Sequence, residues 1–158
     1  MATPAAPYPP VQPIEADETR ADIDAIQKAL TRTCDALAGY DKMVEEAEAE
    51  VLPILRKIHE IHRVHAGQLA SLINGMGGTP DTDGSVMTTV NKTVISLRAL
   101  FDEIDDDALE RAIDGEEYVT DAFHDAMAEV PEGPDRQALA DMLAELEAVL
   151  DEARAIAD

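Results

Sequence analysis

The apolar residues of positions 51–76 recur at the spacing of an α-helix, and two histidines lie on the same face. Successive helical residues are about 100° apart, so this face is formed by Val51, Ile54, Leu55, Ile58, Leu69, Leu72, Ile73 and Met76. His62 and His65 fall inside it, and His59 lies near its edge. An imidazole on the core face of a helix is costly unless it has a partner. We expect that partner to be either a bound metal ion or a plain hydrogen-bonding group.

The composition favours an all-helical fold with an aliphatic core. The chain has 158 residues with three Tyr, two Phe and no Trp, so Leu, Ile, Val, Ala and Met must fill the interior. This length is typical of one domain with a substantial core. The single cysteine, Cys34, excludes an intramolecular disulfide and fits a reducing compartment. Since no signal-peptide pattern is present at the N-terminus, we expect a soluble cytoplasmic protein.

The charge of the chain argues against two classes of partner. Thirty-four acidic and twelve basic side chains give a formal net charge of -22. Such a surface repels the phosphates of nucleic acids and of anionic membranes. No segment approaches the ~20 apolar residues of a membrane span. We therefore expect no nucleic-acid partner and no membrane partner. The acidity is explained by solubility or salt adaptation, or alternatively by attraction of cations.

Turn and capping residues divide the chain into helices. The proline-rich residues 1–16 are expected to form a disordered arm, followed by a bundle domain over 17–158. The predicted helices cover about 19–48, 50–76, 86–102, 106–129 and 135–157. The breaks are marked by Gly75-Met-Gly-Gly-Thr-Pro80, by the acidic run 102–107, where a kink is predicted, and by Pro131-Glu-Gly-Pro134.

These segments predict a four-helix bundle built from up-down pairs of helical hairpins. In this prediction, residues 86–129 form either one kinked helix or two separate helices. Asp35-Ala-Leu37 and Asp114-Gly-Glu116 occupy similar places in the two halves of the chain. This short similarity is compatible with a bundle of two related hairpins, and equally with chance.

Helical phase places further polar residues toward the predicted core. Glu116 lies at the centre of the apolar face of residues 106–129, with Glu117 and His124 at its flank. On the last helix, Glu147 lies at the edge of the apolar face. Carboxylates and imidazoles that face each other inside a four-helix bundle can hold iron or manganese.

An intact di-metal site requires more ligands than this chain supplies. Such sites take a Glu from each of two helices and a Glu-x-x-His pair from each of the other two. No histidine here has a Glu three residues before it, and Asp121-x-x-His124 is the nearest approximation. We therefore do not expect a di-metal oxidase or peroxidase. Two alternatives remain: one cation held by His62, His65 and Glu116, or hydrogen bonds among the same three side chains.

Several motifs resemble a known family. They are Asp35-Ala-Leu-Ala-Gly-Tyr40, His65-Ala-Gly-Gln-Leu69, Gly77-Gly-Thr-Pro80, Gly84-Ser85, Glu110 and Asp114-Gly-Glu-Glu117. Over residues 25–158 the chain resembles bacterial ferritin-like domains grouped as a domain of unknown function and related in fold to rubrerythrin and ferritin. The resemblance implies a ferritin-like four-helix bundle but no established reaction. Glu116 matches an inward carboxylate of the family, whereas Leu37 and Leu150 stand where ligands would be needed.

Three functional hypotheses follow from these observations. The first is a non-catalytic structural or interaction protein that forms a homo-oligomer, and the resemblance adds an association with stress. The alternative is an iron- or manganese-binding protein that uses His62, His65 and Glu116, with His59, Glu117, His124 and Glu147 as secondary candidates. The third is an adaptor that docks through the proline-rich arm 1–16.

Overall fold

The structure, a computed structural model, describes residues 14–84 and 106–158, and five helices joined by short connections make up these two ranges. We label its helices α1 (Ile14–Glu46), α2 (Leu52–Gly75), α3 (Asp106–Gly115), α4 (Glu117–Glu129) and α5 (Pro134–Ala157). α3 and α4 are consecutive segments separated only by Glu116, so the helices form four units. The predicted all-α four-helix bundle is therefore confirmed.

Each unit of the bundle packs against two neighbours. α1 lies between α2 and α4, and α5 lies between α2 and the α3–α4 unit. Contacts between the units fix their directions. Lys28 bonds Asp125 while Arg32 reaches the carbonyl of Tyr118, so α1 and α4 run antiparallel.

α2 and α5 also run antiparallel, because Lys57 bonds Glu152 and His65 bonds Glu145. α1 and α2 are antiparallel as well, because Gln27 bonds Asp81 just after α2 while Asp41 bonds His59, so each unit runs antiparallel to its neighbours. The two hairpins, α1–α2 and α4–α5, lie side by side in the up-down arrangement that the sequence predicts.

A Schellman motif ends α2 and fixes the direction in which the chain leaves it. The N–H of Gly78 donates to the carbonyl of Ile73 over 2.9 Å, and the N–H of Gly77 donates to the carbonyl of Asn74. Gly77 has φ +88°, a conformation that favours glycine. Asp81 is then held against α1 by two hydrogen bonds between its backbone and the Gln27 side chain.

The observed helix bounds refine the predicted ones. The 50–76 and 135–157 helices are found within two residues of their predicted limits, but α1 begins at Ile14 rather than near 19. Residues 14–16 are thus helical and do not belong to an extended arm. The helix begins directly after Pro13, which cannot be placed inside a helix without loss of a hydrogen bond.

The segment 106–129, predicted as one helical stretch, is interrupted at Glu116. The rest of the predicted arm (1–13), the predicted helix 86–102 and most of the predicted kink at 102–107 lie outside the described residues.

An aliphatic core joins the four units. Its largest buried side chains include Ile26, Leu30, Leu55, Ile58, Leu69, Ile73, Leu109, Phe123, Leu139, Leu146 and Leu150. Within this core, the buried polar or charged residues that the structure describes are Thr33, His62, His65 and Glu116. Thr33 bonds the carbonyl of Ala29 on its own helix. None of the helices in the described part of the chain is long and apolar enough to cross a bilayer.

Candidate buried polar site

His62 and Glu116 meet in the middle of the bundle. The imidazole Nε2 of His62 lies 2.7 Å from Oε1 of Glu116, and both side chains are almost completely buried. His62 is placed by the apolar face of α2, and Glu116 by the interruption between α3 and α4. The predicted inward direction of both residues is confirmed. The contact joins α2 to a unit that lies 54 residues further along the chain.

Tyr40 of α1 adds a third polar side chain to this pair. It is 4% exposed, and its ring centroid lies 5.6 Å from that of His62. Burial and the neighbouring Glu116 carboxylate raise the pKa of Tyr40 well above 10.0. The hydroxyl is thus close enough to Glu116 to be influenced by its charge, although it lacks hydrogen-bond geometry.

His65, one turn after His62, faces a different carboxylate. Its Nε2 lies 3.0 Å from Oε2 of Glu145 on α5. The His65 side chain is fully buried, whereas Glu145 is 59% exposed. Burial lowers the pKa of His65 below 6.5, and the bond to Glu145 opposes this shift only in part. His65 also packs edge-on against the ring of Phe123.

Unsatisfied polar atoms are concentrated in this region. Within the described residues, the buried side-chain atoms without a hydrogen-bond partner are the Tyr40 hydroxyl, Nδ1 of His62, Nδ1 of His65 and Oε2 of Glu116. Each such atom is expected to cost roughly 1–3 kcal/mol when left unpaired. Buried polar groups are normally satisfied by protein, water or a ligand. Three of these atoms belong to Tyr40, His62 and Glu116, and the fourth belongs to His65, which follows His62 by one turn of α2.

The secondary candidates lie away from this centre. His59 is half-buried and bonds Asp41 of α1 at the rim of the bundle. His124 is exposed, although helical phase had placed it half inward. Glu117 and Glu147 come together in a surface pocket of about 310 Å³, where Asp114 and Asp151 also lie. The pocket opens to solvent and is separate from the buried pair.

The three primary candidates do not all touch one another. His62 and Glu116 are in contact, but His65 is held by Glu145. Within residues 14–84 and 106–158, no group of three or more His, Cys, Asp or Glu side chains has an arrangement that could hold a metal ion. The buried pair supplies one imidazole nitrogen and one carboxylate. A cation there would need His65 to leave Glu145, or ligands such as Tyr40 or water.

Two members of the site were not predicted from the sequence. In the sequence, Tyr40 was noted only as the last residue of the motif Asp35-Ala-Leu-Ala-Gly-Tyr40. Its hydroxyl was the available signal, because a buried tyrosine usually has a hydrogen-bond partner. Glu145 was overlooked because its backbone position faces outward. Its location one residue before the buried Leu146 gave no indication that its side chain reaches His65.

Comparison with known proteins gives one match. The sequence model of a protein family described as "Domain of unknown function (DUF2383)" matches residues 21–129. This range covers well over half of the chain and contains Tyr40, His62, His65 and Glu116, whereas Glu145 lies beyond it. No curated protein and no solved structure matches the chain. The relation to ferritin and rubrerythrin stays a prediction.

Proposed function

Because the chain belongs to the family of this domain of unknown function, which names no activity, we propose a function from the site itself: the protein binds a transition-metal cation in the bundle core. His62 and Glu116 are its first ligands, and His65 becomes the third when it exchanges Glu145 for the cation. Iron and manganese are the favoured metals because imidazole and carboxylate ligands suit both. The Tyr40 hydroxyl, which is buried beside Glu116, and water molecules would complete the coordination.

The observation that carries this proposal is the group of unpaired polar atoms around the His62–Glu116 contact. The four buried polar atoms without partners lie on side chains from three helical units. Compared with an aliphatic core, they lower the free energy of unfolding substantially. A cation with one or two bound waters would be coordinated by the free Oε2 of Glu116. A bound water would also give the Tyr40 hydroxyl a hydrogen-bond partner. The two Nδ1 atoms have no acceptor in the structure and would need water molecules, since metal-bound histidines usually donate their second ring N–H.

The Glu116 carboxylate also explains how a buried cation could be tolerated. A positive ion in the core needs a compensating negative charge close by. Glu116 supplies it at the centre, and the formal charge of -22 raises the local concentration of cations around the protein. When bound, iron or manganese would act as a Lewis acid in a site shielded from solvent. His62 and Glu116 would orient it, while Phe123 and the surrounding aliphatic residues exclude water.

A second candidate function is structural. Each buried histidine already meets one carboxylate, His62 with Glu116 and His65 with Glu145, and these contacts join α2 to two other helical units. In this case the site needs no ion. The protein would act as a helical interaction module, with a homo-oligomer as the simplest assembly. The stress association and the adaptor role of residues 1–16 belong to this alternative.

Metal analysis of the full chain separates the two candidates. The protein is produced without a histidine tag in cells supplied with iron or manganese, purified without chelator, and its metal content and mass in solution are measured. We expect close to one metal per chain for the wild type and for His59→Ala, whose histidine lies on the same helix outside the core. His62→Ala and Glu116→Ala should lose the metal.

A folded wild-type protein that takes up no metal, even when titrated with Fe²⁺, Mn²⁺ or Co²⁺, would contradict the metal proposal and leave the structural one. Equal metal loss in His59→Ala and His62→Ala would show that uptake does not depend on the core site.

A further inference from the structure

A groove of about 520 Å³ lies on the surface between the second half of α2 and the first half of α5. Its α2 wall includes Gly67 and Ser71, and its α5 wall includes Ala138. Side chains of this size leave the space between the two helices unfilled, whereas the His65–Glu145 bond holds the helices together at one end of the groove. The groove is therefore a consequence of small residues on both helices.

The groove has an apolar floor. Met142 of α5 is buried and Leu72 of α2 is half-buried, while Val64 is 40% exposed to solvent. In the part of the chain that the structure describes, the other exposed large apolar side chains are Tyr118 and Ile156, which lie outside the groove. A strip of apolar side chains between two antiparallel helices is the kind of surface on which an amphipathic helix docks.

The charged side chains among the described residues that line the groove are both carboxylates, Asp141 and Glu145. Both are exposed, and each uses one oxygen in a bond within the chain, to Gln137 and to His65 respectively. Each carboxylate therefore has a second oxygen for a cation. The two residues are four positions apart on α5, about 6 Å along the helix axis. A docked helix with Lys or Arg at positions i and i+4 would match this spacing.

Charge also determines which partner fits the groove. A second copy of this chain, with its formal net charge of -22, would bring its own acidic surface toward the two carboxylates. Like charges across an interface oppose association, whereas opposite charges speed the encounter and select the partner. The complementary occupant is therefore basic.

We infer that the groove between α2 and α5 is a docking site for a basic amphipathic α-helix of another protein. The apolar face of that helix lies on Val64, Leu72 and Met142, and its cationic side chains pair with Asp141 and Glu145. This interaction requires no metal in the core, so it is independent of the metal-binding proposal. The acidic surface as a whole speeds the approach of the helix, and the groove determines where it binds.

Two synthetic peptides test the recognition of an amphipathic helix. Both have about 18 residues, or five helical turns, and the same composition of Leu and Lys. In one the leucines recur at helical spacing, and in the other the order is scrambled. Fluorescence anisotropy of the labelled peptides measures their Kd for the metal-free full chain. We expect the periodic peptide to bind about tenfold more tightly or better, because only its leucines can be buried together.

The contribution of the two carboxylates is tested with a pair of double variants. Asp141→Asn/Glu145→Gln should weaken binding of the periodic peptide by roughly three- to tenfold, because two ion pairs are lost. Glu147→Gln/Asp151→Asn is the matched control, since it removes two charges from the same helix in a different surface pocket. This control should stay within about twofold of the wild type.

The apolar contact is tested in the same assay. Val64→Ser should weaken binding of the periodic peptide by about threefold or more, because an apolar contact in the groove is lost. Ile156→Ser is the matched control, since Ile156 is similarly exposed but lies outside the groove, and it should leave the Kd unchanged. Circular dichroism of each variant confirms that the helices are retained.

Several results would overturn the inference. Equal binding of the two peptides, equal weakening by the two double variants, or no binding at all would mean that the groove does not recognise a basic helix. A wild-type dimer that dissociates in Val64→Ser would make a second copy of the chain the occupant. A clear gain in peptide affinity after deletion of residues 1–13 would assign the groove to that segment instead.

Discussion

Nε2 of His62 lies 2.7 Å from Oε1 of Glu116, and neither side chain exceeds 2% exposure. This contact joins the middle of α2 to the point where α3 gives way to α4. The interruption and the contact coincide, because Glu116 is the residue between the two helices and also the one that enters the core. The relative positions of α2, α3 and α4 therefore depend on this one buried hydrogen bond.

The first prediction is that His62 and Glu116 stabilise the fold only as a pair. In metal-free protein, His62→Leu or Glu116→Leu should each lower the free energy of unfolding by about 1–3 kcal/mol, because the remaining partner stays buried without a hydrogen bond. The double variant should recover most of this loss, since two apolar side chains then replace the pair. Urea denaturation near neutral pH measures all four proteins.

His59→Leu is the control for this cycle, because His59 lies at the rim of the bundle. This substitution should lower the free energy of unfolding by less than about 1 kcal/mol. Losses that simply add in the double variant would show that His62 and Glu116 stabilise the fold independently.

Most of the helical architecture could be predicted from the sequence, because helical periodicity and turn residues act locally. The apolar face of α2 and the Gly77-Gly78 stop were both read from short stretches and are found as expected. The start of α1 and the interruption at Glu116 were not predicted. Neither has a strong local signal: Pro13 permits several starting points, and Glu116 keeps helical backbone angles of φ -67° and ψ -20°.

The site was predictable only in part, because helical phase gives the direction of a side chain and not its partner. Phase correctly placed His62, His65 and Glu116 in the core. It could not show that His65 reaches Glu145, which lies 80 residues away on a helix face that is otherwise exposed. Long side chains such as Glu can extend from the edge of a helix into a neighbour, so a residue with an exposed backbone can still contact the core.

A second prediction follows from the lowered pKa of His65. The folded protein holds this imidazole neutral because burial disfavours its charged form, whereas the unfolded chain binds a proton near pH 6.5. Between 6.5 and the lower folded pKa, the unfolded state carries more protons. The free energy of unfolding should therefore fall as the pH falls below 6.5, and this loss should stop below the folded pKa.

Thermal midpoints measured from neutral to mildly acidic pH test this linkage. His65→Gln, which keeps polar atoms but does not titrate, should show a shallower decline over this window than the wild type. Parallel curves for the two proteins would mean that His65 does not control the acid sensitivity. His59→Gln is the matched control for loss of an imidazole outside the core.

The third prediction contrasts two glycines of the same hairpin. Gly67 lies inside α2, and a methyl group there would meet nothing within 4 Å. Gly67→Ala should therefore raise the free energy of unfolding by up to about 1 kcal/mol through the higher helix propensity of alanine. At Gly78 a methyl group would lie 2.9 Å from Ile73 Cγ2 and 3.1 Å from Ile23 Cγ2.

Gly78→Ala should lower the free energy of unfolding by about 1–3 kcal/mol, because one of the packed isoleucines must move. Chemical denaturation of both variants under one condition checks the pair. A stabilised Gly78→Ala protein would show that the end of α2 relaxes easily around an added methyl group.

The last prediction concerns the Tyr40 hydroxyl, which is buried close to the Glu116 carboxylate but lies outside hydrogen-bond geometry. Tyr40→Phe removes this unpaired group and keeps the ring against His62. The metal-free variant should be at least as stable as the wild type, with a gain of up to about 1–3 kcal/mol. Above pH 10.0 the gap should widen, because the unfolded wild type releases the phenolic proton while the folded protein, whose Tyr40 pKa is raised, retains it.

Urea denaturation on both sides of pH 10.0 measures this difference, and Tyr118→Phe is the control because Tyr118 is 57% exposed. The Tyr118 variant should follow the wild type at every pH. A metal-free Tyr40→Phe protein that is clearly less stable than the wild type would mean that the hydroxyl has a partner in solution. An internal water between Tyr40 and Glu116 would be the first to look for, since the carboxylate has a free oxygen there.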